Sequence, residues 1–469
     1  MTTSETPANP VAPRAGAELE LGFHDLLANG QAVGRADGLV VFCFGPLPGE
    51  RARVRLTAIK PKYAVARMLE LLVASPDRAE PFCPVFGECG GCQVQHLAYQ
   101  AQLSWKREVV RNALARIGGF SDAPVNEPVG MRDPRAYRNK MSLVVEARGG
   151  KPQIGFYRQR SHQLVPIDGC PIVTPQLDGF IGKLNAALSD PATAPAFAQA
   201  RHIVARSAAA SDRSALTITT NAPSEAVRRS APALLAALPG LSGVTNSYGL
   251  SGENAILGRK HRTIVGSPTV EERIGELRYR ISVSSFFQIN VEIVGRIFEY
   301  MAPQLAEKRK IVDLYCGAGT FTLFFAHSGS DAVGVEESSQ AVAEANENAA
   351  LNGLTERATF CAGRVEEMVR TPRVGKALAE AEMVFLDPPR KGSDELTLGA
   401  IAENQVPAVW YLSCDPATLA RDLKFLAAKG YRLTGVQPFD MFPQTGHIET
   451  LVTLAHDTTT AGSTQTLVI

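Results

Sequence analysis

The chain has 469 residues, 45% apolar and 20% charged, with a formal net charge of +1. That composition belongs to a folded protein of about three domains and excludes a fibre or a disordered tail. Near-neutrality excludes a globally basic surface, so any contact with nucleic acid must come from local clusters. No apolar run reaches the roughly 18 residues of a membrane span, and Met1 to Gly16 is rich in Pro, Ala and Thr without a leader's apolar core. A cytoplasmic protein is expected. In a reducing compartment the eight cysteines are not a disulfide framework; clustered ones point to metal and isolated ones to packing or catalysis.

After a lead of about fifteen residues, short apolar runs alternate with glycine turns, with strands expected at Ala17–Leu21, Leu39–Phe44, Ala52–Ile59 and Tyr63–Leu72. They make a small β-barrel. The period of two puts Arg51, Arg53 and Arg55 on one face, with Lys60, Lys62 and Arg67 close behind and Glu50 opposing. Such a face is either a solvated charge stripe or a phosphate contact. Next come Cys83, Cys89 and Cys92, wrapped around Gly87, Gly90 and Gly91, and far downstream Cys170. Tetrahedral zinc is the structural alternative, but a compact triplet plus one distant cysteine suits a four-iron cluster better. Tyr99 to Ile117 reads as a helix with a basic face formed by Lys106, Arg107, Arg111 and Arg116. From Met131 to Ile281 strand patterns, including Lys140–Val145 and Leu216–Thr220, alternate with Ala/Pro-rich patches at Pro191–Ala200 and Ser224–Pro239; this is an α+β region. The aromatics of Ser284–Asn290 read as core.

The last third is a βαβ pattern. Lys310–Leu314 is a strand, Cys316–Gly319 a tight glycine turn, Phe321–Ala326 a helix start, and Ala332–Val335 a second strand ending in Glu336. An acid there can accept both hydroxyls of a ribose. Thr322 stands where a dinucleotide fingerprint has its third glycine, so the turn suits a nucleoside such as S-adenosylmethionine better than a pyrophosphate. Glu382–Leu386 is a strand that ends in Asp387-Pro-Pro-Arg-Lys-Gly, which aims Asp387 into the cleft. A further strand, Ala408–Leu412, precedes Cys414, and Asp415-Pro416 caps the next helix. A thiol at that helix N-terminus is expected to favour its thiolate. Glu449 lies at or near the start of the closing strand.

Several of these stretches resemble known families. GQAVGRADGLVVFCFGPLPGERARVRL resembles the TRAM domain, a small RNA-binding barrel, over Ala17 to Ser75. CPVFGECGGCQVQHLAYQAQL, DLYCGAGTF and the pairing of DPPRKG with Cys414 resemble the iron–sulfur uracil-5-methyltransferases that act on ribosomal RNA. The resemblance runs from about Ala17 to Ala455. It implies a multi-domain chain: a flexible lead (1–16), a TRAM β-barrel (17–75), a central α+β domain with the iron–sulfur segment (76–285), a Rossmann-like class I methyltransferase domain (286–456) and a flexible tail (457–469). It further implies Cys414 as nucleophile at uracil C6 and Glu449 as the base. Gln288, Tyr315, Glu336 and Asp387 would lie at S-adenosylmethionine; Cys83, Cys89, Cys92 and Cys170 would hold a [4Fe-4S] cluster; Arg51, Arg53 and Arg55 would contact RNA. A monomer acting on 23S ribosomal RNA is expected, since relatives acting on transfer RNA generally lack the TRAM and cysteine segments. The same chemistry on transfer RNA, and a non-catalytic iron–sulfur RNA-binding protein, are the competing readings. One departure stands out: Gly363-Arg364 occupies the place where the family presents an acidic or amide residue near the adenine.

Overall fold

A computed structural model of the chain describes residues 14–252, 254–305 and 307–457. The expected flexible lead and tail fall, apart from Arg14–Gly16 and Asp457, outside the described residues. Two compact units emerge: one runs to Gln102 and includes Gln444–Gly446, the other comprises Leu103–Pro443 and the chain from His447 onward.

In the first unit β1 (Glu18–Leu26), β2 (Gln31–Ala36), β3 (Leu39–Phe44), β4 (Arg51–Ile59) and β5 (Tyr63–Val73) close a barrel in the order β1-β2-β3-β5-β4. The strict alternation on β4, with Ala52, Val54 and Leu56 inside and the arginines outside, is what the period of two requires. β2 lacked a recognisable signal because Gly34 and two small alanines dilute its apolar pattern. A buried carboxylate fastens the barrel to the chain that leaves it. Glu50 accepts from the amides of Leu47 and Ser75 at 2.8 and 3.1 Å and from Arg78 Nε and Nη2 at 2.6 and 2.8 Å. Burial alone would raise this carboxyl, but the Arg78 guanidinium and the two amides hold it below its ordinary value.

The second unit contains two seven-stranded sheets and a hairpin. In the first sheet β6 (Lys140–Arg148), β7 (Lys151–Tyr157), β8 (Leu164–Pro166), β9 (His202–Ala208), β10 (Arg213–Thr219), β11 (Leu241–Tyr248) and β12 (Lys260–Gly266) are ordered β12-β11-β10-β9-β6-β7-β8. The hairpin β13 (Thr269–Ile274) and β14 (Leu277–Ser282) leads into Ser284–Asn290. Helices cover the Ala/Pro-rich patches at Ala194–Phe197, a short 3-10 turn, and Glu225–Ala237. The last sheet consists of β15 (Lys310–Leu314), β16 (Asp331–Glu336), β17 (Ala358–Ala362), β18 (Met383–Leu386), β19 (Ala408–Ser413), β20 (Tyr431–Phe439) and β21 (Glu449–His456), ordered β17-β16-β15-β18-β19-β21-β20. The first five of these pair in parallel, and β21 inserts antiparallel between β19 and β20. β18 is buried throughout, as a parallel strand covered on both faces must be.

The Tyr99–Ala113 helix corrects one expectation. It does not carry a free basic face: Lys106 is fully buried and donates to Asp440 at 2.6 Å and to the Phe442 carbonyl at 3.0 Å, while Arg107 pairs with Glu127 and Arg111 with Glu108. The chain then widens into a π-helical turn over Leu114–Gly118.

Asp313 on β15 is fully buried; its Oδ2 accepts from Thr322 Oγ1, and its Oδ1 has no partner among the described residues. Burial pushes this carboxyl up to about 8 against the Thr322 hydrogen bond. Between the ordinary aspartate value and about 8 the folded state holds a proton that the unfolded chain has released, so stability falls as pH rises through that window. Asp313→Asn lacks the slope. Urea unfolding at pH 5.5 and 7.5 is expected to show the variant gaining on the wild type by roughly 1 kcal/mol per pH unit; parallel curves would show that Asp313 is ionised in the fold.

Candidate active site

The carboxyl edge of the last sheet assembles the site by register alone. Leu314 pairs with Val335 on one side and with Leu386 on the other, so Glu336, Tyr315 and Asp387 follow at one level on three neighbouring strands. β15 and β18 are adjacent although β16, β17 and their crossovers lie between them in the chain, which makes this the topological switch where ligands bind. On the far side Ser413 pairs with Thr450, and one rung beyond that pair the chain sets Cys414 opposite Glu449. An antiparallel β21 therefore delivers its first residue to the edge where the parallel strands end.

Tyr315, Gly317 and Gly319 all have positive φ, at 69°, 55° and 85°, giving a turn that bends sharply under the following helix. Glycine is required at 319, where a Cβ would come within 3.1–3.2 Å of Phe360 and Ala345. Glu336 steadies the turn: its Oε2 accepts from the Gly317 amide at 3.1 Å and its Oε1 from the Ser338 amide at 2.8 Å. The Tyr315 hydroxyl lies 3.1 Å from Ser393 Oγ. Phe286 corrects another expectation, because this aromatic of the Ser284–Asn290 stretch is 66% exposed and lies beside Gly317 rather than in the core, whereas Phe287 is buried. Gln288 donates from Nε2 to Asp387 Oδ2 at 3.0 Å, a link that no sequence pattern announces. Gly363-Arg364 stands after β17, with Arg364 turned to Glu366 and Glu367.

The Asp387–Gly392 loop is held from behind. Buried Asp422 accepts from the Tyr411 hydroxyl at 2.6 Å and the Ser393 amide at 2.8 Å, Arg421 donates to the Lys391 carbonyl at 2.9 Å, and Thr418 donates to the Arg390 carbonyl at 3.1 Å. These anchors sit on the Pro416–Ala427 helix that begins immediately after Cys414. Gly392, at φ 78°, leaves room for them: a Cβ would come within 2.5 Å of both Arg421 and Asp422.

The electrostatics overturn the expected low thiol pKa. Asp415 caps the Pro416–Ala427 helix by accepting from the Ala417 and Thr418 amides at 2.9 and 3.0 Å, so those donors are not offered to the sulfur. Burial, then the carboxylates of Glu449 and Asp387, push the Cys414 thiol up to about 12, with Arg390 opposing. Glu449 is 3% exposed, and its Oε1 has no hydrogen-bond partner among the described residues. Burial first and Asp387 second raise its carboxyl well above the ordinary range, again against Arg390. Asp387 rises to about 7 through burial, and the Gln288 hydrogen bond restrains it. Negative charge in the cleft thus rests most readily on Asp387, leaving a protonated Glu449 and a protonated thiol. Arg390 is placed by a 3.2 Å contact with His447 Nε2, and His447, through burial and then Arg390, falls to about 4 and stays neutral.

In the first unit, Arg51 pairs with Glu20 at 3.3 Å, Arg55 with Glu18 at 2.5 Å and Arg53 with Glu70. The expected basic face is a ladder of compensated charges. Cys83, Cys89 and Cys92 are half-buried, and the Gly91 amide points to Cys89 Sγ at 3.4 Å. Among the described residues no three His, Cys, Asp or Glu side chains are gathered as a metal site requires.

The sheet order, glycine turn and acid at the second strand's end define a Rossmann-like class I methyltransferase domain behind an N-terminal barrel. Residues 255–457 match the model of the tRNA (uracil-5-)-methyltransferase family and residues 14–69 that of the TRAM domain. An uncharacterized RNA methyltransferase of Thermosynechococcus vestitus is 36% identical over 451 residues, covering 94% of this chain and 98% of that one. One of Gloeobacter violaceus is 36% identical over 460 residues, covering 96% and 98%. The fold is similar to that of the Pyrococcus abyssi tRNA (uracil-54, C5)-methyltransferase, crystallised with S-adenosyl-L-homocysteine, with a TM-score of 0.73 and 24% identity over 93% of this chain and 100% of that one. The chain belongs to the family of these RNA methyltransferases, and its C-terminal part carries a tRNA (uracil-5-)-methyltransferase family domain.

The raised thiol has a measurable consequence. Carbamidomethylation of Cys414 by iodoacetamide, followed by peptide mass spectrometry, is expected to be slow at pH 7 and to climb about tenfold per pH unit through pH 9, because only the thiolate reacts. Asp387→Asn, which removes the negative charge facing the sulfur, should speed alkylation at pH 8.5 by roughly tenfold and Arg390→Ala should slow it. Fast, pH-independent alkylation at pH 7 would mean that the thiolate is already formed.

Proposed function

We propose that the protein transfers the methyl group of S-adenosylmethionine to C5 of a uridine in RNA, with 23S ribosomal RNA as substrate. The observation that carries this reading is the placement of Cys414 opposite Glu449, one strand from Asp387, at the edge that also holds the glycine turn. Uracil C5 is a weak nucleophile. As substrate docks, the Cys414 thiol and the Glu449 carboxyl would give up their protons to solvent; the thiolate adds to C6 and makes C5 enolate-like, C5 takes the sulfonium methyl with release of S-adenosylhomocysteine, and the Glu449 carboxylate removes the C5 proton so that the C6–S bond breaks and the thiolate leaves. A thiol with a high pKa is the stronger nucleophile once deprotonated, and a carboxylate lifted by burial is the stronger base, as removal of a proton from carbon demands.

S-adenosylmethionine would lie over the turn at Tyr315–Gly319. Glu336 keeps a lone pair on each oxygen for the ribose hydroxyls while both serve backbone amides. Gln288 and Asp387, already bonded to one another, would hold the cofactor's reacting end beside the base. The cofactor supplies the electrophilic methyl; the chain's residues orient it and exclude water. The target uridine must leave its stack to reach this edge.

Cys83, Cys89 and Cys92 would hold a [4Fe-4S] cluster, with Cys170 assigned as fourth ligand on the sequence resemblance alone. In support, the donors are soft thiols, Cys83 lies near enough to Cys89 to raise it beyond the effect of burial, and the Gly91 amide is aimed at a sulfur. No step of methyl transfer runs through the cluster. Anaerobically purified protein is expected to be brown and to lose iron and sulfide when any of the four is replaced by serine; colourless protein with stoichiometric zinc would refute the assignment.

Cys414→Ala is expected to form no covalent adduct with substrate RNA, and Glu449→Gln to accumulate a methyl-labelled adduct that runs slowly on a denaturing gel. RNA carrying 5-fluorouridine should trap the wild type in the same way. Methylation by Cys414→Ala would remove the nucleophile assignment. Mass mapping of 5-methyluridine in a deletion strain should show its loss from 23S ribosomal RNA; loss from transfer RNA instead selects the other substrate.

A further inference from the structure

Arg206 is a buried charge that packing alone does not explain. It lies on β9 with 1% of its surface exposed; Nη2 donates to the Ser285 carbonyl at 3.0 Å, while Nε and Nη1 have no partner among the described residues. Glu344 and Glu272 are the acids nearby, but Glu344 already accepts from Ser285 Oγ at 2.7 Å and Glu272 from the amides of Ala209, Ala210 and Arg273. Burial outweighs both acids and lowers the guanidinium to about 10, so it remains a cation at neutral pH. Lys140, opposite on β6, shows the cost: burial first and Arg206 second bring its ammonium down to about 7. A buried cation short of partners weakens a fold. A methionine of similar length would fill the same volume without that cost.

What an apolar side chain could not do is hold the Ser285 carbonyl. A planar trans peptide points its N–H opposite to its C=O. With that carbonyl turned in to Arg206, the Phe286 amide is turned out, and it has no acceptor among the described residues. Phe287 folds back under the guanidinium, its ring centroid 5.9 Å from Arg206 Cζ. Asn139 fastens the next residues in the same manner, from Nδ2 to the Gln288 carbonyl at 3.1 Å and from its amide to the Ile289 carbonyl at 3.0 Å. Held from behind at these points, the segment sets Phe286 beside Gly317 and Gln288 against Asp387. We propose that Arg206 is a positioning residue for the cofactor: it holds the Ser284–Gln288 segment so that the Phe286 amide and the Gln288 side chain meet the amino-acid end of S-adenosylmethionine. The proposal rests on the reading of this sheet edge as the cofactor site.

The test is calorimetric titration of the full chain with two ligands, S-adenosylhomocysteine and 5′-methylthioadenosine. The second carries the nucleoside and the thioether sulfur but no amino-acid end. Arg206→Met is expected to weaken S-adenosylhomocysteine about tenfold and to leave 5′-methylthioadenosine within about twofold of the wild type. Arg206→Lys, which keeps a donor at similar reach, should recover most of the loss. Melting curves check that each variant is folded. Should Arg206→Met not fold, Arg206→Gln, polar but too short to reach the Ser285 carbonyl, carries the same comparison with the same expectation. Equal loss of both ligands would make Arg206 a support of the fold alone, and an unchanged affinity for S-adenosylhomocysteine would leave it no part in binding; either result overturns the proposal. A wild type that binds neither ligand sinks the reading of the edge as a cofactor site and the proposal with it. Binding by the wild type alongside either overturning result leaves that reading intact.

Discussion

Three groups that can each lose a proton, Cys414, Asp387 and Glu449, are confined at one sheet edge with little water, and the rest of the site follows from that crowding. A low-dielectric cleft cannot hold three negative charges side by side. Gln288 donates to Asp387, so that carboxylate is the cheapest to ionise, and Glu449 with its bare oxygen is the costliest. Arg390 is the cation that faces both the thiol and Glu449. The resting cleft therefore stores protons. In the reaction proposed above, deprotonation of the Cys414 thiol and of Glu449 would then accompany the arrival of substrate.

Crowding of this kind needs a rigid frame, because repelling groups on mobile loops would simply move apart. The frame is visible in how each arm is fastened. Asp387 is pinned through the Pro-Pro loop to Asp422, Arg421 and Thr418 on the Pro416–Ala427 helix, the same helix whose start fixes Cys414. The chain that leads to Glu449 leaves β20 at Asp440, which the buried Lys106 holds at 2.6 Å. Breaking such a buried pair by removing one partner strands a charge and costs about 3–5 kcal/mol. The Tyr99–Ala113 helix, polar enough by composition to read as a surface element, thus contributes its most buried cation to the positioning of the cleft.

What the sequence disclosed and what it concealed divide along a physical line. Strand ends were legible: the apolar runs before Tyr315, Asp387 and Cys414 are buried parallel strands, whose signal is local and continuous. The glycine turn and the Asp415-Pro416 cap were legible for the same reason. β2 was missed, since its one glycine and two alanines carry no strand signature. Pairings between residues far apart in the chain left no local trace, as with Lys106 and Asp440, Gln288 and Asp387, or Arg390 and His447. Two electrostatic expectations failed because they counted one partner of each pair. The arginine stripe of β4 ignored glutamates on β1 and β5, and the helix N-terminus at Cys414 ignored that Asp415 already occupies its amides.

The same accounting explains how a chain with a net charge of +1 deals with a polyanion. Compensated ladders such as Arg51–Glu20 and Arg55–Glu18 add little stability at such exposure and cancel the long-range field that would bind any nucleic acid indiscriminately.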